Sequence, residues 1–99
     1  MPAFVSLTCS RADLQKLDQL IARLSPMFAG LGGRLLPGQG PASGFYDPAF
    51  QGMAEIRLYR FPDAAAAQEA LRHPGFAATE GLRACFEQLE IRLEPQPGG

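Results

Sequence analysis

Six side chains at strand-like spacing carry most of the chemistry open to this chain. Glu55, Arg57 and Tyr59 fall two residues apart, as do Glu90 and Arg92, and Arg34 opens a short apolar run with Leu35 and Leu36. A step of two is the period of a strand, so each set shares one sheet face. On neighbouring strands these residues place carboxylates, guanidinium groups and a phenol on one surface. Arginine offers a planar fork to a carboxylate. A tyrosine hydroxyl can donate to a carbonyl or enolate oxygen. A glutamate shielded from water can serve as a base. The expectation is therefore Glu55, Tyr59 and Glu90 as catalytic residues, with Arg34, Arg57 and Arg92 binding a ligand. The alternative is cross-strand Glu–Arg pairing that registers two subunits.

Other residues offer less. Phe45, Tyr46, Asp47 and Phe50 lie among glycines and prolines in 37–52. That stretch reads as a long loop, with Phe45 and Tyr46 as ligand contacts on a lid; its plain alternative is a hairpin loop packing its rings on the rim. His73 is the only histidine, between Arg72 and Pro74, and reads as a cap or turn residue. Cys9 and Cys85 have neither metal spacing nor an adjacent base, so both are expected to be reduced, small buried fillers. No metal site and no cofactor are expected. A net charge of −1 supplies no basic field for nucleic acid or an anionic membrane. No Cys-x-x-Cys, phosphate loop or G-x-S-x-G elbow is present. No apolar run approaches the ~20 residues of a membrane span, and no secretory signal is evident, so a cytoplasmic location is expected.

The elements that must position these residues follow from periodicity. Residues 3–9 alternate, with Val5 and Leu7 on one face and Phe4, Ser6 and Thr8 on the other. Ser10 and Asp13 resemble a shortened capping box before a helix of about 11–24, whose stripe is Leu14, Leu17, Ile21, Leu24 and Phe28. Ser25-Pro26 either ends that helix or caps a short continuation. Residues 34–36 make a short strand. Residues 53–61 make the clearest one, with Ala54, Ile56 and Leu58 set against Glu55, Arg57 and Tyr59. Asp63 caps a helix over Ala64 to Arg72, and a further helical stretch covers about 75–84. Residues 87–93 alternate again. The order is β-α-β-β-α-β, an α+β ferredoxin-like sandwich of four antiparallel strands with helices on one face. One domain covers 1–94, and 95–99 forms a flexible tail.

In a chain of 99 residues the core is thin. Helices can cover one sheet face only. Val5, Leu7, Leu35, Ile56, Leu58, Leu89, Ile91 and Leu93 are expected beneath them. The other face receives Phe4, Ser6, Thr8, Arg34, Leu36, Glu55, Arg57, Tyr59, Phe61, Gln88, Glu90 and Arg92. Its aromatic and aliphatic members suit a second copy stacked over it, a homodimer through or beside this face.

Gly32-Gly33 before the second strand, the run Glu55 to Asp63, the alanine-rich helix and His73-Pro74-Gly75-Phe76 are together similar to an uncharacterised bacterial family. It is the domain of unknown function thirteen-thirty, in the dimeric α+β-barrel superfamily. That family carries a Gly-Gly pair, a Phe-Pro-Ser segment and a Ser-Pro-Glu-Tyr-like segment at the matching places. The chain departs from it at Asp63 and His73, where Ser is common, at Ala70, where an aromatic is common, and at Gly75, which replaces an acid. The resemblance implies two protomers packed sheet to sheet around a small-molecule-sized space. The wider superfamily includes cofactor-free monooxygenases, lactone isomerases, haem-dependent enzymes and members without known activity.

Two functional readings result. The first is a homodimeric barrel binding a small carboxylate- or carbonyl-bearing molecule, with cofactor-free monooxygenase or isomerase chemistry. The second is a non-catalytic structural or regulatory dimer. The residues alone do not decide whether the chain is an enzyme.

Overall fold

The computed structural model describes residues 1–37, 45–50 and 52–94. Residues 38–44 and 51, from the expected loop, and the expected tail 95–99 lie outside the described residues. Strand β1 covers Ala3–Ser10, a 3-10 turn Arg11–Asp13 and helix α1 Leu14–Ala29. Next come β2 (Arg34–Leu35), β3 (Phe45–Asp47), a 3-10 turn (Pro48–Phe50) and β4 (Gly52–Phe61). Helices α2 (Ala64–Arg72), α3 (Pro74–Ala77) and α4 (Glu80–Arg83) precede β5 (Leu89–Glu94). The sheet runs β2-β4-β1-β5, antiparallel at each pairing, with short β3 also paired to β4. This is the expected α+β ferredoxin-like arrangement, with β3 added inside the stretch read as loop.

Pairing decides which side chains meet the helices. Val5 lies opposite Tyr59, Leu7 opposite Arg57 and Cys9 opposite Glu55. Ala3, Val5, Leu7 and Cys9 are buried in the core with Leu17, Leu20, Leu24 and Phe28 of α1. Tyr59 and Phe61 therefore join the helix side, together with Glu55 and Arg57. Ala54, Ile56 and Leu58 take the helix-free face beside Ser10, Thr8 and Ser6. This reverses the expected orientation of β4. Alternation groups residues by face, whereas the partner strand's register selects the face, and a shift of one residue swaps the two.

Aromatic rings fill the space between α1 and the sheet. Phe28 meets Tyr59 edge-on at 4.8 Å and Phe61 at 5.4 Å between ring centres. Phe76 stacks on Phe28 at 6.4 Å, and the Arg83 guanidinium lies 4.4 Å from the Phe76 ring centre. Each such ring pair adds about 1 kcal/mol beyond its buried area. Helix α1 continues through Pro26 to Ala29 rather than stopping near residue 24. Proline removes one backbone donor. The added turn also carries Phe28 into the core.

Gly33 shows how closely the parts approach. A Cβ there would sit 2.6 Å from the Phe61 ring and 3.0 Å from the Phe28 carbonyl oxygen. Gly32, at φ +85°, makes the preceding turn in a conformation other residues rarely adopt. The Asp63 carboxylate accepts from Ala66 N–H at 2.8 Å, the expected cap of α2. Ser10 makes no side-chain cap; its hydroxyl lies 3.5 Å from an Asp13 carboxylate oxygen. Asp13 is buried and instead accepts from Glu87 N–H at 3.0 Å, tying the start of α1 to the approach to β5.

Candidate functional site

The charged residues read from the sequence separate onto the two sides of the sheet. Glu55 and Arg57 lie on the helix side near the start of α1. Glu55 is 0% exposed and Arg57 5%. Arg11 Nε donates to Glu55 Oε2 at 2.9 Å, and Arg11 Nη2 lies 2.9 Å from the same oxygen. Arg57 Nη1 lies 3.8 Å from Glu55 Oε1 and donates to the Ile56 carbonyl at 2.9 Å. Its Nη2 lies 3.6 Å from Asp18. Glu55 Oε1 has no hydrogen-bond partner among the described residues. The carboxylate's charge is thus held by two arginines, as a buried charge requires.

Cys9 lies opposite Glu55 in the same buried corner. Burial first, and then the Asp13 carboxylate, push its thiol up to about 12. At ordinary pH it stays neutral and a poor nucleophile. Cys85 is exposed, contrary to the expectation of a buried filler. Tyr59 Oη lies 2.6 Å from Ser25 Oγ and 3.3 Å from the Ile21 carbonyl oxygen. Burial raises its pKa, partly offset by the Ser25 bond. Tyr59 is a core tyrosine bonded to α1. His73 caps α3, its Nδ1 accepting from Gly75 N–H at 2.9 Å.

The helix-free face is assembled in rows across the strands. Arg34, Arg60, Phe4 and Glu94 form one row; Leu58, Ser6 and Arg92 the next; Ile56, Thr8 and Glu90 a third. Leu36 N–H donates to the Leu58 carbonyl at 2.9 Å, extending the β2 edge. Over the third row sits Phe50, 6% exposed, on the 3-10 turn after β3. Gln88 Nε2 anchors that turn by donating to the Ala49 carbonyl at 2.6 Å. A cleft of about 260 Å³ results, lined by Ser6, Thr8, Ala49, Phe50, Ile56, Glu90, Arg92 and Glu94. Arg92 Nε forms an ion pair with Glu90 Oε1. A larger groove, about 470 Å³, runs between α4 and β5 on the opposite side, lined by Glu80, Arg83, Ala84, Phe86, Leu89 and Ile91.

The expected common surface therefore holds for Arg34, Glu90 and Arg92 and fails for Glu55, Arg57 and Tyr59. Those three face the helices because β4 pairs with β1 in the register that buries Tyr59 beside Val5. The backbones of Phe45 and Tyr46 pair with β4 in β3; their side chains lie outside the described residues. Sequence reasoning overlooked Arg60 and Glu94 as members of this face; Phe50, read as a ring of the 37–52 stretch packing at a rim, lines the cleft. Matching Val5 with Tyr59 from the start would have revealed Arg60.

No family model matches the chain, and no curated protein matches it. Solved structures do. A protein of unknown function from Rhodopseudomonas palustris superposes with TM-score 0.65 at 18% identity, over 98% of this chain and 84% of that one. SnoaB, a cofactor-independent oxygenase from Streptomyces nogalater, gives 0.59 at 20% identity, over 99% and 94%. A candidate antibiotic biosynthesis monooxygenase from Bacteroides thetaiotaomicron gives 0.53 at 16% identity, over 99% and 90%. No helix among the described residues is long and apolar enough to cross a membrane. The chain thus has the α+β, ferredoxin-like fold that these solved structures share.

Proposed function

We propose that the protein is a homodimer whose two helix-free faces close into an α+β barrel, binding a small carboxylate- or carbonyl-bearing molecule. The observation that carries this reading is the cleft of about 260 Å³ on that face. Its floor offers the Ser6 and Thr8 hydroxyls, its wall Ile56 and Phe50, and its edge Arg92 between Glu90 and Glu94. The hollow is mostly polar, with Ile56 and Phe50 as its apolar wall, and such convergent polar groups orient a small polar molecule. Arg92 binds the acid or carbonyl oxygen and Glu90 serves as base, while Arg34 stands on the same face at the far β2 edge, outside the cleft. Glu55, Arg57 and Tyr59, behind the sheet, hold the scaffold.

The reaction class is cofactor-free monooxygenase or isomerase, and the fold shared with a cofactor-independent oxygenase supports it by analogy. Such chemistry starts with removal of a proton next to a carbonyl, which Glu90 supplies the carboxylate for. The order of Gly32-Gly33, Phe61-Pro62-Asp63 and His73 to Phe76 supports kinship with the thirteen-thirty family. A non-catalytic dimer is the second reading, favoured by the Arg92–Glu90 pair, which satisfies both groups without a ligand.

Thermal denaturation with a panel of small carboxylic acids tests the choice. The proposal expects at least one acid to raise the melting temperature of the wild type in a dose-dependent way. Arg92→Leu should abolish that rise. A wild-type dimer that responds to none of them supports the non-catalytic reading.

A further inference from the structure

The cleft has a second hollow beside it. Ser6, Thr8 and Ser10 alternate along one face of β1, with Arg92 opposite Ser6, Glu90 and Ile56 opposite Thr8, and Ala54 opposite Ser10. Ser6 and Thr8 line the cleft of about 260 Å³. Ser10 lines another hollow of about 270 Å³, together with Arg11, Met53 and Glu87. Phe50 is the one described residue that lines both. Its ring stands as a partition across a trough that follows β1. The turn carrying it is tied down by the Gln88–Ala49 hydrogen bond of 2.6 Å.

The polar groups of the cleft ask for a particular kind of ligand. Ser6 is 4% exposed and Thr8 9%. Neither hydroxyl makes a hydrogen bond among the described residues, and both open into the cleft. A polar group shut away from bulk water costs free energy until it finds a partner. Successive positions on one strand face lie about 7 Å apart. One ligand atom at about 2.8 Å from each hydroxyl does not span that gap, so the ligand needs two polar groups. Glu90 and Glu94 accept hydrogen bonds and, as carboxylates, donate none. An acid without hydroxyls sets its own charge against them. A hydroxy acid brings the donors they lack.

We propose that the cleft takes a short hydroxylated carboxylic acid and that Phe50 sets the length it accepts. The acid end lies by Arg92 and Ser6, and a hydroxyl lies by Thr8 and Glu90. This rests on the small-molecule reading above and names its ligand class. At about 30 Å³ for each water-sized group, the cleft has room for about eight of them. That suits a three- or four-carbon hydroxy acid. A longer chain has to pass the Phe50 ring to reach the hollow beyond.

Isothermal titration calorimetry with three acids tests both parts. Glycerate has the fitting length and hydroxyls, butyrate a similar length without hydroxyls, and gluconate the hydroxyls on a longer chain. The wild type should bind glycerate at least about tenfold tighter than either of the others, a ratio that one well-made hydrogen bond supplies against butyrate. Thr8→Val keeps the side-chain shape without the hydroxyl and should bring glycerate down to the level of butyrate. Phe50→Ala should join the two hollows and tighten gluconate at least about tenfold, with glycerate close to its wild-type affinity. Phe50→Leu keeps an apolar residue on the turn and should show the same gain on a smaller scale, which covers an alanine variant that folds poorly. Butyrate binding as tightly as glycerate overturns the hydroxy-acid class. Gluconate affinity unmoved in both Phe50 variants overturns the length limit. Either result leaves the small-molecule site standing, because an acid still binds. A wild type that binds none of the small acids overturns that reading and this one together.

Discussion

Glu55 is the residue whose surroundings differ most from its expected role. It reads as a base on the helix-free face, yet it lies on the helix side between Arg11 and Arg57. Removing one partner of a buried ion pair strands the other charge. Arg57→Ala is therefore expected to cost about 3 kcal/mol, visible as a lowered urea midpoint with an unchanged slope. No loss of stability would show that Arg11 alone satisfies Glu55. Cys9, in the same corner, makes a prediction for alkaline pH. Its folded pKa is raised to about 12 from 9.0. Between these values the unfolded chain has released the thiol proton and the folded chain still holds it. Stability contributed by the buried thiol is complete below pH 9 and is lost as pH rises toward 12. The slope from this group approaches about 1.4 kcal/mol per pH unit. Cys9→Ala should flatten the pH dependence of the unfolding free energy from urea titrations by about that amount; an unchanged slope would place the effect elsewhere, first at Tyr59, whose pKa burial also raises.

Among the elements, β4 explains both what was legible and what was not. Its strand character and length were plain from alternation, as were the α2 cap at Asp63 and the turn at Gly32-Gly33. Its orientation was not. Ala54, Ile56 and Leu58 look like a core face in isolation, but Tyr59 and Phe61 gain more by packing on Phe28. The pairing with β1 is a long-range property that a single strand's pattern does not contain. The extent of α1 stayed open at Ser25-Pro26, and the helix continues to Ala29, for a related reason. Pro26 is a local stop signal, and the tertiary contacts of Phe28 override it. β3 was read as loop because proline and glycine surround it. Two substitutions probe these elements. Gly33→Ala pushes a methyl group into the Phe61 ring and should destabilise the fold by about 1–3 kcal/mol in chemical denaturation. Asp63→Ala removes the α2 cap and should cost about 1 kcal/mol. Equal stability of Gly33→Ala and wild type would mean that β4 and the β2 turn are less closely apposed than the geometry gives.

At the scale of the whole molecule, 99 residues build one helix layer on one side of one sheet. The helix-free side holds buried Phe4 and half-buried Ile56, Leu58 and Leu36 among arginines and glutamates. Three members of the expected site, Arg34, Glu90 and Arg92, share that side, and a cleft opens there. The other three hold the helices to the sheet. The proposed barrel of two copies builds on this division: the helix side makes the core, and the helix-free side carries the proposed site. The direct measurement is molar mass by sedimentation equilibrium at concentrations up to about 0.1 mM, where obligate pairs are assembled. A mass of twice 10.6 kDa is predicted. A wild-type chain that sediments at 10.6 kDa throughout would contradict the account.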